Sequence, residues 1–358
     1  MLSHEKLWER KLDDPINCLE VGKPFLEELS EENDILIGTT AGRVLILNQD
    51  KPPEVLLETK GGSVQALQLY DLTGQRALDL VVGDSEGVIT MFSRQQILSK
   101  QEIGTAVTTI DIFKDLDQGY EIIAGGMNGT VTGFQPHEIF WSLKVAEESA
   151  KIATLHMKGR RSPYIHCILA TTLNDPFGQS MAVLLVCDGW QFVHFLRGSN
   201  RILSLRVPTV ICSMAAGRFL THEIAHRYSK KDTTKPKTIS DLDKAYKDKQ
   251  VLMAGEDGCV YVMINYEIHQ LFNVGFRLTK IIGFRPSFLK EDEPDLVICV
   301  GYANQALVYR GDKRICEIAT ADWPHNVTVG DVNADGQDEL ILGLLDQTVQ
   351  VYRWIKTE

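Results

Sequence analysis

The sequence predicts an all-β chain folded as a seven-bladed β-propeller with four-stranded antiparallel blades. Three observations predict it. A cassette of apolar strand, polar loop, second apolar strand, tight turn and third strand recurs seven times in 358 residues. An outer strand precedes each next copy, so the unit is roughly 40–50 residues long, the period of a propeller blade. The chain ends are also complementary, one supplying a strand that the other lacks. Together these predict a single domain over residues 1–358.

The second strands and their turns align as Ile35–Gly42, Leu80–Gly87, Ile122–Gly129, Leu184–Gln191, Val251–Gly258, Ile298–Gln305 and Leu340–Gln347. Glycine ends the strand at Gly38, Gly83, Gly125, Gly301 and Gly343, with Cys187 and Ala254 in the other two copies, so the position requires a small residue. Gly42, Gly87, Gly129 and Gly258 close the turn, where positive φ costs glycine least. Each turn leads into a β-branched or aromatic strand, such as Val88–Phe92 or Val349–Tyr352. Outer strands are predicted at Ile139–Leu143, Ile202–Arg206, Gln270–Val274 and Arg314–Ile318. Residues 5–12 read as an outer strand with no blade before it, and Val351–Ile355 as a third strand with no outer strand after it. The N-terminal strand is therefore expected to complete the last blade, removing two unpaired edges.

Composition narrows the class. With 44% hydrophobic and 24% charged residues, the chain suits a globular domain with a large core. No apolar run approaches the roughly 18 residues that span a bilayer, and Met1–Trp8 lacks an apolar signal core. Seven cysteines are scattered singly, and Cys167, Cys187, Cys259 and Cys299 fall in strands, as buried small hydrophobes do. These features predict a cytoplasmic protein. A net charge of −11 argues against nucleic acid as a general partner.

Residues 221–250, inside blade five, hold eight Lys/Arg against five acids, a local charge of +3 in a chain otherwise at −14. This lysine-rich insertion is expected to protrude as a mobile loop, either a solvated insertion or a docking arm for an acidic partner. The long loop at 171–181 is a second contact candidate. Within the insertion, His222-Glu-Ile-Ala-His226 fits a zinc-peptidase pattern, with His222 and His226 on one helix face and Glu223 as general base. No glycine turn or third histidine follows, and the same residues read as a short amphipathic helix. No phosphate-binding loop or nucleophile motif is present.

The last cassette contains Asp331-Val-Asn-Ala-Asp-Gly-Gln-Asp-Glu339. Oxygen side chains at positions 1, 3, 5 and 9, with glycine at 6, suit a calcium ion that needs six to eight oxygens on a curved loop. Asp331, Asn333, Asp335, Gln337 and Glu339 are the candidate ligands. The same residues also suit a turn that hydrogen-bonds its own backbone. At this loop the chain resembles the FG-GAP repeats of integrin-α-type propellers. The resemblance implies a seven-bladed propeller with calcium loops on its lower blades. The literal Phe-Gly and Gly-Ala-Pro signatures are absent, and the sibling loops are eroded: Asp71–Asp79 has Gln75 and Arg76 at its centre, Asp111–Glu121 carries two extra residues, and blade six keeps only Asp295.

The Val-x-Val-Tyr-Arg-Trp ending of the last cassette looks like the FG-GAP-repeat subunits of the KICSTOR complex, which scaffold amino-acid control of the TORC1 kinase at lysosomes. Propellers of the BBSome, a ciliary cargo coat, are built from similar degenerate repeats. The resemblance implies a non-enzymatic scaffold or adaptor that binds other subunits of a complex, without inserting in a membrane, at the lysosome surface or the cilium. The rival readings are a zinc peptidase built on His222, Glu223 and His226, and a secreted calcium-binding adhesion module. The absent signal and unpaired cysteines weigh against the second.

Overall fold

The computed structural model describes residues 2–24, 32–60, 62–94, 96–115, 119–152, 164–174, 178–229 and 248–356. Seven four-stranded antiparallel sheets stand in a ring. Their first, innermost strands are Ile16–Gly22, Val64–Tyr70, Val107–Asp115, Ile165–Asn174, Ile211–Gly217, Leu278–Phe284 and Pro324–Gly330. Each packs on the first strands of both neighbouring blades, and the seventh packs on the first, which closes the ring.

The predicted clasp is present and longer than the sequence suggested. Leu2–Lys11 pairs antiparallel with Thr348–Lys356, from Leu2 opposite Lys356 to Lys11 opposite Thr348. Side chains lock the pairing: Arg353 Nε donates to Glu5 Oε2 at 2.8 Å, and Gln350 Nε2 donates to Glu9 Oε2 at 3.0 Å. The last blade is thus built from both ends of the chain.

Packing between blades explains the strand-ending glycines of blades one, two, three and seven. A Cβ on Gly83 would lie 2.7 Å from Val107 Cγ1 of the next blade, and one on Gly38 would lie 2.5 Å from Val64 Cγ1. The second strands are buried on both faces, as Ile35–Ile37 and Leu80–Val82 show. Blade six departs from the predicted alignment by one residue. Val300 stands opposite Lys280, as Gly38 stands opposite Cys18, and Gly301 stands opposite Leu278, as Thr39 stands opposite Ile16. Gly301 is therefore not the small core position but the start of the turn, where a Cβ would collide with the Arg277 carbonyl oxygen.

Strand alternation gives the ring two faces. The upper face carries the second-to-third turns and the links between blades. The lower face carries the first-to-second connections, including 71–78, 285–295 and 331–338 and the described ends of those between Gly22 and Asp34 and between Gly217 and Gln250. Among the described residues, two short helices decorate the ring: Val145–Ile152 above, between blades three and four, and His222–Ser229 below, in blade five.

Candidate protein-interaction surface

The zinc-pattern segment folds as the amphipathic helix. The Thr221 hydroxyl caps it, accepting from Ile224 N at 3.3 Å. Gln250 Oε1 holds the approach by accepting from Phe219 N at 2.7 Å. Ile224, Ala225 and Tyr228 are buried in a cluster with Phe272 and Tyr309, so the helix bridges blades five and six. Tyr228 donates to the Gln270 carbonyl at 2.6 Å, and Arg227 pairs with Asp312 at 2.7 Å. This start of the 221–250 insertion is therefore packed, not protruding, because its apolar stripe has a surface to cover. Residues 230–247 of the insertion, and 175–177 of the 171–181 loop, lie outside the described residues. His222 and His226 share a face, with ring centroids 6.5 Å apart, and His222 and Glu223 are exposed. Among the described residues, no group of three or more His, Cys, Asp or Glu side chains converges as a metal site.

The 331–339 loop brings its predicted residues together through hydrogen bonds. Asp331 Oδ2 accepts from Gly336 N at 2.8 Å, Asn333 Oδ1 from Asp335 N at 2.9 Å, and Asp335 Oδ1 from Gln337 N at 2.8 Å. The Glu339 carboxylate accepts from Val332 N at 3.0 Å and from Asn333 Nδ2 at 2.9 Å. Burial pushes the Glu339 carboxyl up to about 7, with Asp335 and Asp331 adding to the rise. Gln337 is exposed, and its backbone N–H makes the bond to Asp335. The eroded loop of blade two has the same form. Arg76 N donates to Asp71 Oδ2 at 2.8 Å, and Leu72 N donates to Asp79 Oδ2 at 2.8 Å. Positive φ falls at Gly74 and Arg76, matching Ala334 and Gly336.

A Ser-His-Asp cluster that the sequence did not reveal lies under the upper helix. The Ser149 hydroxyl donates to Asp188 and lies 2.8 Å from His194 Nε2, while His194 Nδ1 lies 2.8 Å from Ser204 Oγ. One tautomer satisfies the set: Nε2–H donates to Ser149, and Nδ1 accepts from Ser204. In a nucleophilic triad the carboxylate orients the far ring nitrogen; here Asp188 binds the serine instead. Ser149 and His194 are 0% exposed and Asp188 is 1% exposed, so the cluster pins the helix to blade four.

The central channel is lined by the first strands and carries charge. Burial pushes Glu20 up to about 7 and Asp111 up to about 6, and burial lowers Lys280. Asp111 bridges to the next blade by accepting from Ala170 N at 2.7 Å.

On the upper face, three exposed apolar side chains lie on neighbouring connections. Tyr302 is 46% exposed, Trp323 38% and Leu345 48%. They come from three short connections, around blades six and seven. Tyr302 N donates to the Arg277 carbonyl at 2.9 Å, and Leu345 N donates to the Trp323 carbonyl at 3.0 Å. The same bond ties turn to link in blades one, two, three and five, through Thr40, Ser85, Met127 and Glu256. The Tyr302 and Trp323 rings stand 5.2 Å apart, and the Arg277 guanidinium lies 5.3 Å from the Tyr302 centroid while pairing with Glu256 at 2.7 Å. Tyrosine, tryptophan and arginine are the types that dominate binding energy at interfaces. A second set of exposed apolar residues, Ile97, Ile139, Phe140 and Ile202, lies on the outer strands of blades two to four.

No family model and no curated protein sequence matches the chain. Among solved structures, the chain is similar to BBS1N crystallised in complex with ARL6DN and soaked with mercury, with a TM-score of 0.68 at 10% identity over 99% of this chain and 97% of that one. The lead-soaked crystal of the same complex gives 0.66 at 10% identity over 99% and 98%. The WD40 β-propeller domain of Doa1 gives 0.61 at 9% identity over 99% and 97%. At this identity the likeness establishes the propeller fold alone. No helix among the described residues is long and apolar enough to cross a membrane.

Proposed function

We propose that the chain is a non-enzymatic interaction subunit of a multiprotein complex, and that partners dock on its upper face. The observation that carries this reading is the Tyr302–Trp323–Leu345 cluster beside Arg277, exposed on a rigid ring. A propeller offers fixed loops rather than moving parts, and fold alone licenses no chemistry. The buried Ser149–His194–Asp188 set has no access for a substrate, and the His222–His226 helix lies on the outside of the ring without a third described ligand. A similar propeller, BBS1N, crystallised with a protein bound, which supports protein partners here.

Two settings follow from the resemblances. The repeat pattern supports a scaffold for nutrient signalling at the lysosome surface, as in KICSTOR. The BBS1N likeness supports a ciliary trafficking coat. Proximity labelling with the tagged chain in living cells separates them: one setting predicts lysosomal neighbours, the other ciliary ones. Neighbours belonging to neither would remove both settings. Native affinity purification tests the broader reading, which predicts stoichiometric partners, whereas a chain recovered alone as a 40.1 kDa monomer would contradict it.

A further inference from the structure

The aromatic cluster sits in an acidic rim. Between blades five and one, the upper-face turns and links contribute Glu256, Asp257, Asp322, Asp346, Asp13 and Asp14. Two have cationic partners: Glu256 with Arg277, and Asp14 with Arg43, whose Nε donates at 2.9 Å. Asp257, Asp322 and Asp346 are held differently. Asp257 accepts from Cys259 N at 3.0 Å and from the Tyr261 hydroxyl at 2.6 Å, Asp322 from Trp323 N at 2.8 Å, and Asp346 from Thr348 N at 3.1 Å. These bonds fix the carboxylates in place without neutralising them, and none of the three is ion-paired among the described residues. The resulting surface has an apolar centre, a preorganised negative rim and two arginines, Arg277 and Arg43, already occupied.

We propose that this arc binds a basic segment of a partner protein. The segment sets an apolar side chain against Tyr302, Trp323 and Leu345, and lysines or arginines against Asp257, Asp322 and Asp346. This rests on the interaction reading above and adds the chemistry of the partner. Complementary charge selects this occupant over others. Nucleic acid, anionic lipid and acidic peptides are repelled by the rim. A second copy in face-to-face contact would set the same carboxylates against themselves.

The test is a selection of displayed random peptides on the immobilised full chain, in parallel on a Tyr302→Ala/Trp323→Ala variant whose melting curve confirms folding. The expected consensus has basic residues flanking an apolar anchor and appears only on the unmodified chain. A synthetic peptide of that consensus, followed by fluorescence anisotropy, should lose about tenfold or more in affinity on the double variant. It should lose about threefold or more on the Asp257→Asn/Asp322→Asn/Asp346→Asn variant, and weaken as salt rises from about 50 to about 300 mM. No peptide that depends on Tyr302 and Trp323, or a neutral or acidic consensus, would overturn the proposal. Peptides held equally by the double variant would overturn the site while leaving the interaction reading standing.

Discussion

Tyr302 and Trp323 stand with ring centroids 5.2 Å apart and planes inclined at 57°, although one belongs to a turn of blade six and the other to the link that follows it. Their approach depends on a glycine. Gly301 lets the turn run so close to the Arg277 carbonyl that no side chain fits, and that approach presents Tyr302 outward. Gly301→Ala should therefore cost about 1–3 kcal/mol of stability and disturb the aromatic pair. Chemical denaturation with tryptophan fluorescence reads both effects. An unchanged midpoint would mean the turn relaxes without cost.

The buried Ser149 hydroxyl ties a helix to a blade. Ser149→Ala leaves the Asp188 carboxylate and the His194 Nε2–H without their shared partner. An unsatisfied buried polar group costs about 1–3 kcal/mol, more if charged, so the unfolding midpoint should fall accordingly. A variant as stable as the parent would show that water enters and replaces the hydroxyl.

The two acidic loops should respond alike. Asp331→Ala and Asp71→Ala each remove the acceptor that closes a loop, and each should lower stability by about 1 kcal/mol. Asp335→Ala, which removes one exposed acceptor, should cost less. In this account calcium at about 1 mM leaves the melting temperature within about 1 °C. A rise of several degrees that Asp331→Ala abolishes would show instead that 331–339 holds the ion.

Channel charge should make stability fall as pH rises. Burial raises Glu20 from its ordinary 4.5 to about 7 in the folded chain, so the folded state binds the proton more tightly than the unfolded one. The stability this gives is present below pH 4.5 and is lost as pH rises through 7. At about 1.4 kcal/mol per pH unit, the penalty at pH 8 reaches about 3 kcal/mol, less what channel water screens. Glu20→Gln imitates the protonated form. It should melt with the parent at pH 5 and above it at pH 8. Equal melting at both pH values would show that Lys280 compensates the charge.

The architecture was legible because blade packing writes a period into the chain. The strand-ending small residues, the turn glycines and the unmatched strands at both ends specify seven blades and the clasp. The slip at Val300 was not legible, since a glycine one residue later satisfied the same pattern. The 331–339 hydrogen bonds agree with the self-bonded turn that its Asp, Asn and Gly residues suggested, and blade two shows that the end acids alone hold that form. The proposed docking patch was invisible for a physical reason. Tyr302, Trp323 and Leu345 lie in short connections about twenty residues apart, and only the packing of blade six against blade seven sets those connections side by side. Ser149 and His194, 45 residues apart, meet because the link helix folds back onto the blade that follows it.

The most direct test of the account is native affinity purification of the tagged chain beside its Tyr302→Ala/Trp323→Ala variant. Both residues are more than a third exposed, so the variant should melt within about 2 °C of the parent. Stoichiometric partners should co-purify with the parent and be lost, by about tenfold or more, from the equally stable variant. Partners retained in full by the variant, or a parent chain recovered alone, would contradict it.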